Sequence, residues 1–186
     1  MGVTGICFAG FGGQGVILAG MIVGRAASIY DGKFATLTQS FGPEARGSAC
    51  SAQLLVSPEP ILYPYVTRPD ILVAMSQEAY RRFGPTLKPG GMLLHEEELV
   101  RLDEATRDVQ TFGIPATRFA EELGRRLVLN VVLVGFTTAV TRIASPEAVR
   151  QAVRDSVPPG TETLNLAAFE KGLEFGQSKP CSPHAT

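Results

Sequence analysis

A glycine-rich segment, Gly10-Phe11-Gly12-Gly13-Gln14-Gly15, joins two apolar runs, and that juxtaposition limits the folds open to this chain more than any other feature. Before it, Gly5-Ile6-Cys7-Phe8-Ala9 has no polar face, the pattern of a strand covered on both sides. After it, Val16 to Tyr30 reads as a helix apolar on nearly every face, with Gly20 and Gly24 one turn apart and Asp31-Gly32 as its stop. Small residues at that spacing admit another backbone closely, so this helix is expected to be buried on more than one side. A covered strand, a glycine turn and a buried helix form the opening unit of a parallel α/β sheet.

The remaining sequence continues in that style. Phe34 to Gln39 and Ser48 to Val56 read as strands, and Pro58, Pro60 and Pro64 hold an extended connection that ends at Arg68-Pro69-Asp70. Ile71 to Ala74 is a short buried strand, Ser76 an N-cap for a helix through Phe83, and Lys88-Pro89-Gly90-Gly91 a turn into Met92-Leu93-Leu94. One more strand, Val109 to Ile114, precedes helices at Ala116 to Leu123, Arg126 to Ile143, Pro146 to Ser156 and Leu164 to Gly176, with a break at Val157-Pro158-Pro159-Gly160. The expectation is one domain over residues 1–176, a three-layer Rossmann-like α/β fold with a mostly parallel sheet and a helical C-terminal part. Residues 177–186 are expected to be a disordered tail.

Composition excludes several classes. The 17 Lys and Arg balance 18 Asp and Glu, without the basic patch of a nucleic-acid binder. The apolar run Leu127 to Thr141 is broken by Asn130 and falls short of the roughly 20 residues that span a bilayer. Met1 to Ala9 lacks a signal peptide's basic start, so a cytoplasmic location is expected. Cys7, Cys50 and Cys181 lie far apart and form no CxxC pair, which argues against a disulfide framework, a zinc site or an iron-sulfur site within this chain. The charges are unevenly placed: six of the 35 lie in Met1 to Thr67 and the other 29 in Arg68 to Thr186. A freely solvated domain mixes charge over its surface, so the first third is expected to be covered by a partner.

Two segments carry potential chemistry. Gly10 to Gly15 satisfies G-x-G-x-x-G between a strand and a helix, where backbone N–H groups and the helix dipole favour an anion. A ligand-free tight turn with close helix packing would use the same glycines. A dinucleotide site would further need an acid at the end of the second strand, and Leu37-Thr38-Gln39 stands there. Gln14 is the one loop side chain with both donors and acceptors, the first choice for reading a ligand or a partner. The second segment, Ser40-Phe41-Gly42-Pro43-Glu44-Ala45-Arg46-Gly47-Ser48, sets an acid and a base two apart in uncharged surroundings. Glu44 and Arg46 either orient a cofactor, pair with a partner chain, or form a local ion pair worth about 0–1 kcal/mol. Cys50 reads as a small buried hydrophobe and His95 as an exposed surface residue. Glu121-Glu122 and Arg125-Arg126 have the spacing of helix-surface ion pairs. No Ser/His/Asp set, metal cluster or carboxylate pair stands out, so no catalytic residue is assigned.

Taken in order, Ala9 to Val16, Gln39 to Gly47, Pro69-Asp70-Ile71-Leu72-Val73-Ala74 and Leu87-Lys88-Pro89-Gly90-Gly91 resemble the gamma subunit of the 2-oxoacid:ferredoxin oxidoreductases. Ile114-Pro115-Ala116-Thr117, Asn130 to Gly135 and Val157 to Thr161 extend the likeness, which runs from Ile6 to about Gly176. The resemblance implies an accessory α/β subunit of an enzyme that oxidatively decarboxylates a 2-oxoacid to an acyl-CoA, the pattern being nearest the 2-oxoglutarate type. Branched-chain, indolepyruvate and phenylglyoxylate enzymes share the unit. Electrons would pass to ferredoxin or a related acceptor. Thiamine diphosphate, Mg2+ and iron-sulfur clusters would belong to thiamine-binding alpha and beta subunits and an iron-sulfur subunit, and this chain alone would hold no cofactor and show no activity. In such enzymes the corresponding domain helps to form the coenzyme A site, which places Gly10, Phe11, Gly12, Gly13, Gln14 and Gly15 with Ser40, Phe41, Gly42, Pro43, Glu44, Arg46 and Gly47 as cofactor-facing or interface residues. The family usually follows its Arg-Gly pair with a second glycine; here Ser48 brings a Cβ that narrows the approach.

Overall fold

The computed structural model describes residues 2–40, 49–106 and 108–179. Six strands, β1 (Thr4–Phe11), β2 (Phe34–Ser40), β3 (Ala49–Ser57), β4 (Ile71–Ala74), β5 (Met92–Glu96) and β6 (Gln110–Ile114), form one sheet in the order β2-β3-β1-β4-β5-β6. The β1, β4, β5 and β6 strands are mutually parallel, and β3 runs against both of its neighbours. Five of the six described strands therefore point the same way, as a mostly parallel sheet requires, with the reversed β3 inserted beside β1.

Strand β1 reads as a continuous apolar run because both of its faces are covered. Ile6 and Phe8 enter a large core with α1 (Val16–Arg25), α3 (Ala116–Glu122), α4 (Leu129–Thr141), α5 (Pro146–Ser156) and α6 (Glu162–Ser178), while Cys7 and Ala9 enter a smaller one under α2 (Gln77–Phe83). The layers are thus unequal: five helices cover one face and one covers the other.

Helix α1 is buried as the small-residue spacing requires. A Cβ at Gly20 would stand 2.9 Å from that of Ala52, and one at Gly24 3.1 Å from a Leu54 methyl, so both glycines seat the helix on β3. The helix is regular only to Arg25; Ala26–Tyr30 continues as a π turn that leaves Ile29 and Tyr30 exposed. The apolar run at Leu127 to Thr141 forms a short 3-10 turn and then α4, eleven of whose residues are buried. It packs on α6 closely enough that a Cβ at Gly172 would collide with the Val132 carbonyl. Helix α6 extends to Ser178, so Gln177 and Ser178 are helical rather than part of a tail; residues 180–186 lie outside the described residues.

Candidate functional site

The parallel strands all end at one edge of the sheet, and the glycine loop leaves from there. Gly10 and Phe11 close β1, the chain turns at Gly12 and Gly13, and Gly15 caps α1 with a φ of 73°. That left-handed backbone favours glycine. A side chain there would also collide with Asn130, whose amide donates to the Gly15 carbonyl at 3.2 Å. The second segment is anchored at the same edge: Ser40 ends β2 opposite Ser51, and Ala49 opens β3 opposite Phe11. Phe41, Gly42, Pro43, Glu44, Arg46 and Gly47 themselves lie outside the described residues. The structure therefore brings the bounds of both sequence-flagged segments to one rim.

Gln14 faces inward. Its Oε1 accepts from the Phe11 N–H at 2.7 Å and its Nε2 donates to the Met75 carbonyl at 3.1 Å. The ends of β1 and β4 are thereby tied across the crevice where α1 departs to one face of the sheet and α2 to the other. Open α/β sheets bind dinucleotides in such a crevice. Here a glutamine amide fills it, and the strand on the other side of β1 is the reversed β3.

Gly12 and Gly13 have open space where a Cβ would stand, and Gly13 has a φ of 95°. Beside them lies a cleft of about 230 Å³ lined by Gly13, Gln14, Leu99, Arg126, Leu127 and Leu129. Pockets that enclose a whole drug-sized ligand measure about 300–1,000 Å³, so this cleft is too small to enclose one by itself. Arg126 is its cation. It reaches Glu121 only at 3.8 Å and both side chains are more than half exposed, so little electrostatic energy holds it in place. The first turn of α1 carries no acid and Gly15 supplies no side-chain cap; the Asn130 amide lies against Gly15 instead. A larger hollow of about 610 Å³, between the C-terminal ends of α4 and α6, shares no residue with this rim. Its Lys33 and Arg142 sit at the C-terminal end of α4, where cations complement the helix dipole.

One sequence expectation changes here. His95 is 8% exposed, not a surface residue, because β5 is an inner strand flanked by β4 and β6. Burial holds its imidazole pKa below the ordinary 6.5. The neighbouring Glu96 is fully buried. Its Oε1 accepts weakly from the Thr117 N–H at 3.4 Å, and burial raises its carboxyl pKa above 4.5. His95 Nδ1, Glu96 Oε2 and Thr117 Oγ1 find no hydrogen-bond partner among the described residues.

Neither described cysteine is an activated thiol. Burial pushes Cys7 up to about 12 and also raises Cys50. They face opposite sides of the sheet, Cys7 under α2 and Cys50 in the larger core. No group of three His, Cys, Asp or Glu among the described residues could hold a metal. Sequence reasoning missed Arg126, Leu127 and Asn130 as parts of the rim. The available signal was Asn130, a lone amide inside an apolar helix.

Comparison with known proteins follows the same lines. The model of the pyruvate ferredoxin/flavodoxin oxidoreductase family matches residues 5–175. A 2-oxoglutarate synthase subunit, KorC, of Methanocaldococcus jannaschii is 50% identical over 174 residues, which cover 92% of this chain and 93% of that one. A ketoisovalerate oxidoreductase subunit, VorA, of Methanothermobacter thermautotrophicus is 30% identical over 173 residues, 91% of this chain but 35% of that one. The gamma subunit of a keto/oxoacid ferredoxin oxidoreductase from Geobacter sulfurreducens superimposes with a TM-score of 0.85 at 40% identity, covering 94% of this chain and 96% of that chain. The same fold, at 24% identity and a TM-score of 0.88, covers 98% of this chain and 32% of the chain of a 2-oxoglutarate:ferredoxin oxidoreductase from Magnetococcus marinus, solved with 2-oxoglutarate, coenzyme A and succinyl-CoA bound. The glycine rim, the sheet that presents it and a family match along almost the whole chain agree: this chain belongs to the pyruvate ferredoxin/flavodoxin oxidoreductase family.

Proposed function

We propose that this chain is the gamma subunit of a 2-oxoacid:acceptor oxidoreductase acting on 2-oxoglutarate, and that its glycine rim forms one wall of the enzyme's coenzyme A or thiamine cleft. The observation that carries the substrate is the 50% identity along 93% of a 2-oxoglutarate synthase subunit, against 30% for the ketoisovalerate enzyme's subunit. Thiamine diphosphate, held by other subunits, would supply the chemistry of decarboxylation, and iron-sulfur clusters there would supply the electron transfer to ferredoxin or a related acceptor. The residues of this chain bind and shape. Gly12 and Gly13 let an extended ligand or a partner backbone approach without steric conflict, Arg126 offers a cation to a phosphate, and Leu99, Leu127 and Leu129 exclude water from the wall. Gln14 and Asn130 hold the loop in shape from behind.

This arrangement speaks against an autonomous dinucleotide-binding protein, since the crevice is filled by Gln14 and no acid ends β2. Calorimetry separates the readings: the isolated chain should show no micromolar affinity for NAD, FAD or coenzyme A, and should copurify with thiamine-binding and iron-sulfur subunits. Micromolar dinucleotide binding by the isolated chain would contradict the proposal. The expected location is the cytoplasm; no helix among the described residues is long and apolar enough to cross a membrane.

A further inference from the structure

The glycine rim is only one edge of the sheet, and the opposite edge has a different character. The starts of β1 and β2 and the end of β3 lie side by side there, since Thr4 pairs with Val56 and Phe34 with Ser57. From Ser57 the chain makes a strap, residues 58–66, that returns to β1 where Val66 packs against Gly5. Pro58, Pro60 and Pro64 restrict its backbone, and the rings of Tyr63 and Tyr65 stack edge to face at 5.4 Å. Its side chains nevertheless point to solvent: Leu62 is 96% exposed, Tyr63 62% and Tyr65 58%, with Val3 and Phe34 about half exposed beside them. Seven of the nine exposed large apolar side chains among the described residues fall between Val3 and Tyr65, inside the charge-poor third.

Resting on the subunit reading above, we infer that this rim is the surface through which the chain docks into an apolar groove on a larger companion subunit of the oxidoreductase. At roughly 200 Å² per large side chain, the five rim residues expose on the order of 600 Å². That approaches the ~800 Å² each partner contributes to a standard interface. The prolines hold the strap in its bound shape before contact, which lowers the entropy lost on docking. Tyrosine is also among the residues that dominate binding energy at interfaces.

The adjoining edge strand supports the same partner. Phe34–Ser40 contains no charge and no proline, the usual protections of an open edge. A second copy of this chain is the wrong occupant. The rim's apolar side chains stand in solvent, and the clefts described above and two others are lined by other residues. A rim seated in such a cleft of another copy would propagate head to tail as an open filament unless its rotation closed a ring. In the ketoisovalerate relative the matched region is 35% of one longer polypeptide.

The test is assembly. Leu62→Asp with Tyr63→Asp, and the milder Tyr63→Ser, are coexpressed with the companion thiamine-binding and iron-sulfur subunits of the same organism, with Glu174→Ala on the exposed side of α6 as control. Circular dichroism of each isolated variant should match the wild type. Native mass spectrometry should show at least tenfold weaker association for the double variant, an intermediate loss for Tyr63→Ser and intact assembly for Glu174→Ala. A double variant that folds and assembles like the wild type overturns the inference. So does a wild-type homodimer that the double variant breaks. If the wild-type chain joins no companion subunit, the subunit reading itself fails, and the docking assignment falls with it.

Discussion

Gln14 shows how one side chain can make a glycine motif structural and functional at once. The sequence makes it the natural candidate for reading a ligand, since it alone in the loop can both donate and accept. Its amide is spent on Phe11 and Met75, so its effect on function is through the loop it holds. Gln14→Ala leaves a partly buried N–H and a carbonyl unpaired, and should lower unfolding stability by about 1–3 kcal/mol in urea titration. The assembled variant should show a modest rise in apparent KM for coenzyme A with little change in kcat. A large KM effect with unaltered stability would instead place Gln14 on the ligand. The glycines and Gln14 were legible as a unit because the motif is local. Asn130, 115 residues away and hydrogen-bonded to Gly15, was not, because only the packing of α4 against the start of α1 brings it there.

At the scale of elements, periodicity and caps located most strands and helices. Ser76 and Ser145 cap α2 and α5 by accepting from Ala79 and Ala148, as their places before apolar runs imply. The direction of β3 was not legible, because strand pairing is set by long-range packing that local sequence does not encode. The burial of His95 and Glu96 escaped for a related reason: the acidic run Glu96-Glu97-Glu98 looks solvated until β6 and α3 cover its first member. That burial has a consequence for pH. The native state holds the Glu96 proton above the ordinary 4.5, so stability falls as pH climbs from about 4.5 through the raised value. His95 acts oppositely. Its depressed pKa means that the unfolded chain takes up a proton first, and stability falls as pH drops through 6.5. Glu96→Gln removes the first slope and leaves the second. Thermal melts of the isolated variant should therefore show higher Tm than wild type at neutral pH and only a loss on acidification. Unchanged melting curves from pH 4 to 8 would contradict this.

For the whole molecule, the uneven charge now has a structural counterpart. The charge-poor third contributes the glycine loop to one edge of the sheet, the exposed apolar strap to the other, and the unprotected edge strand between them. The charged remainder supplies helices α2 to α6 and surface ion pairs, such as Arg150 with Glu147 and Glu170 and Arg118 with Glu98. Proteins that it matches along nearly their whole length, a 2-oxoglutarate synthase subunit and an oxoacid ferredoxin oxidoreductase gamma subunit, are themselves parts of larger enzymes, and the two edges proposed above would give this chain a wall for the site and a surface for a partner. The most direct measurement is reconstitution of 2-oxoglutarate- and coenzyme A-dependent reduction of a ferredoxin-like acceptor, by companion subunits prepared without this chain and then titrated with it. The account predicts no turnover by the purified chain, and turnover by the companions that rises until the chain is stoichiometric. Turnover by the chain alone, or full activity of the companions without it, would contradict the account.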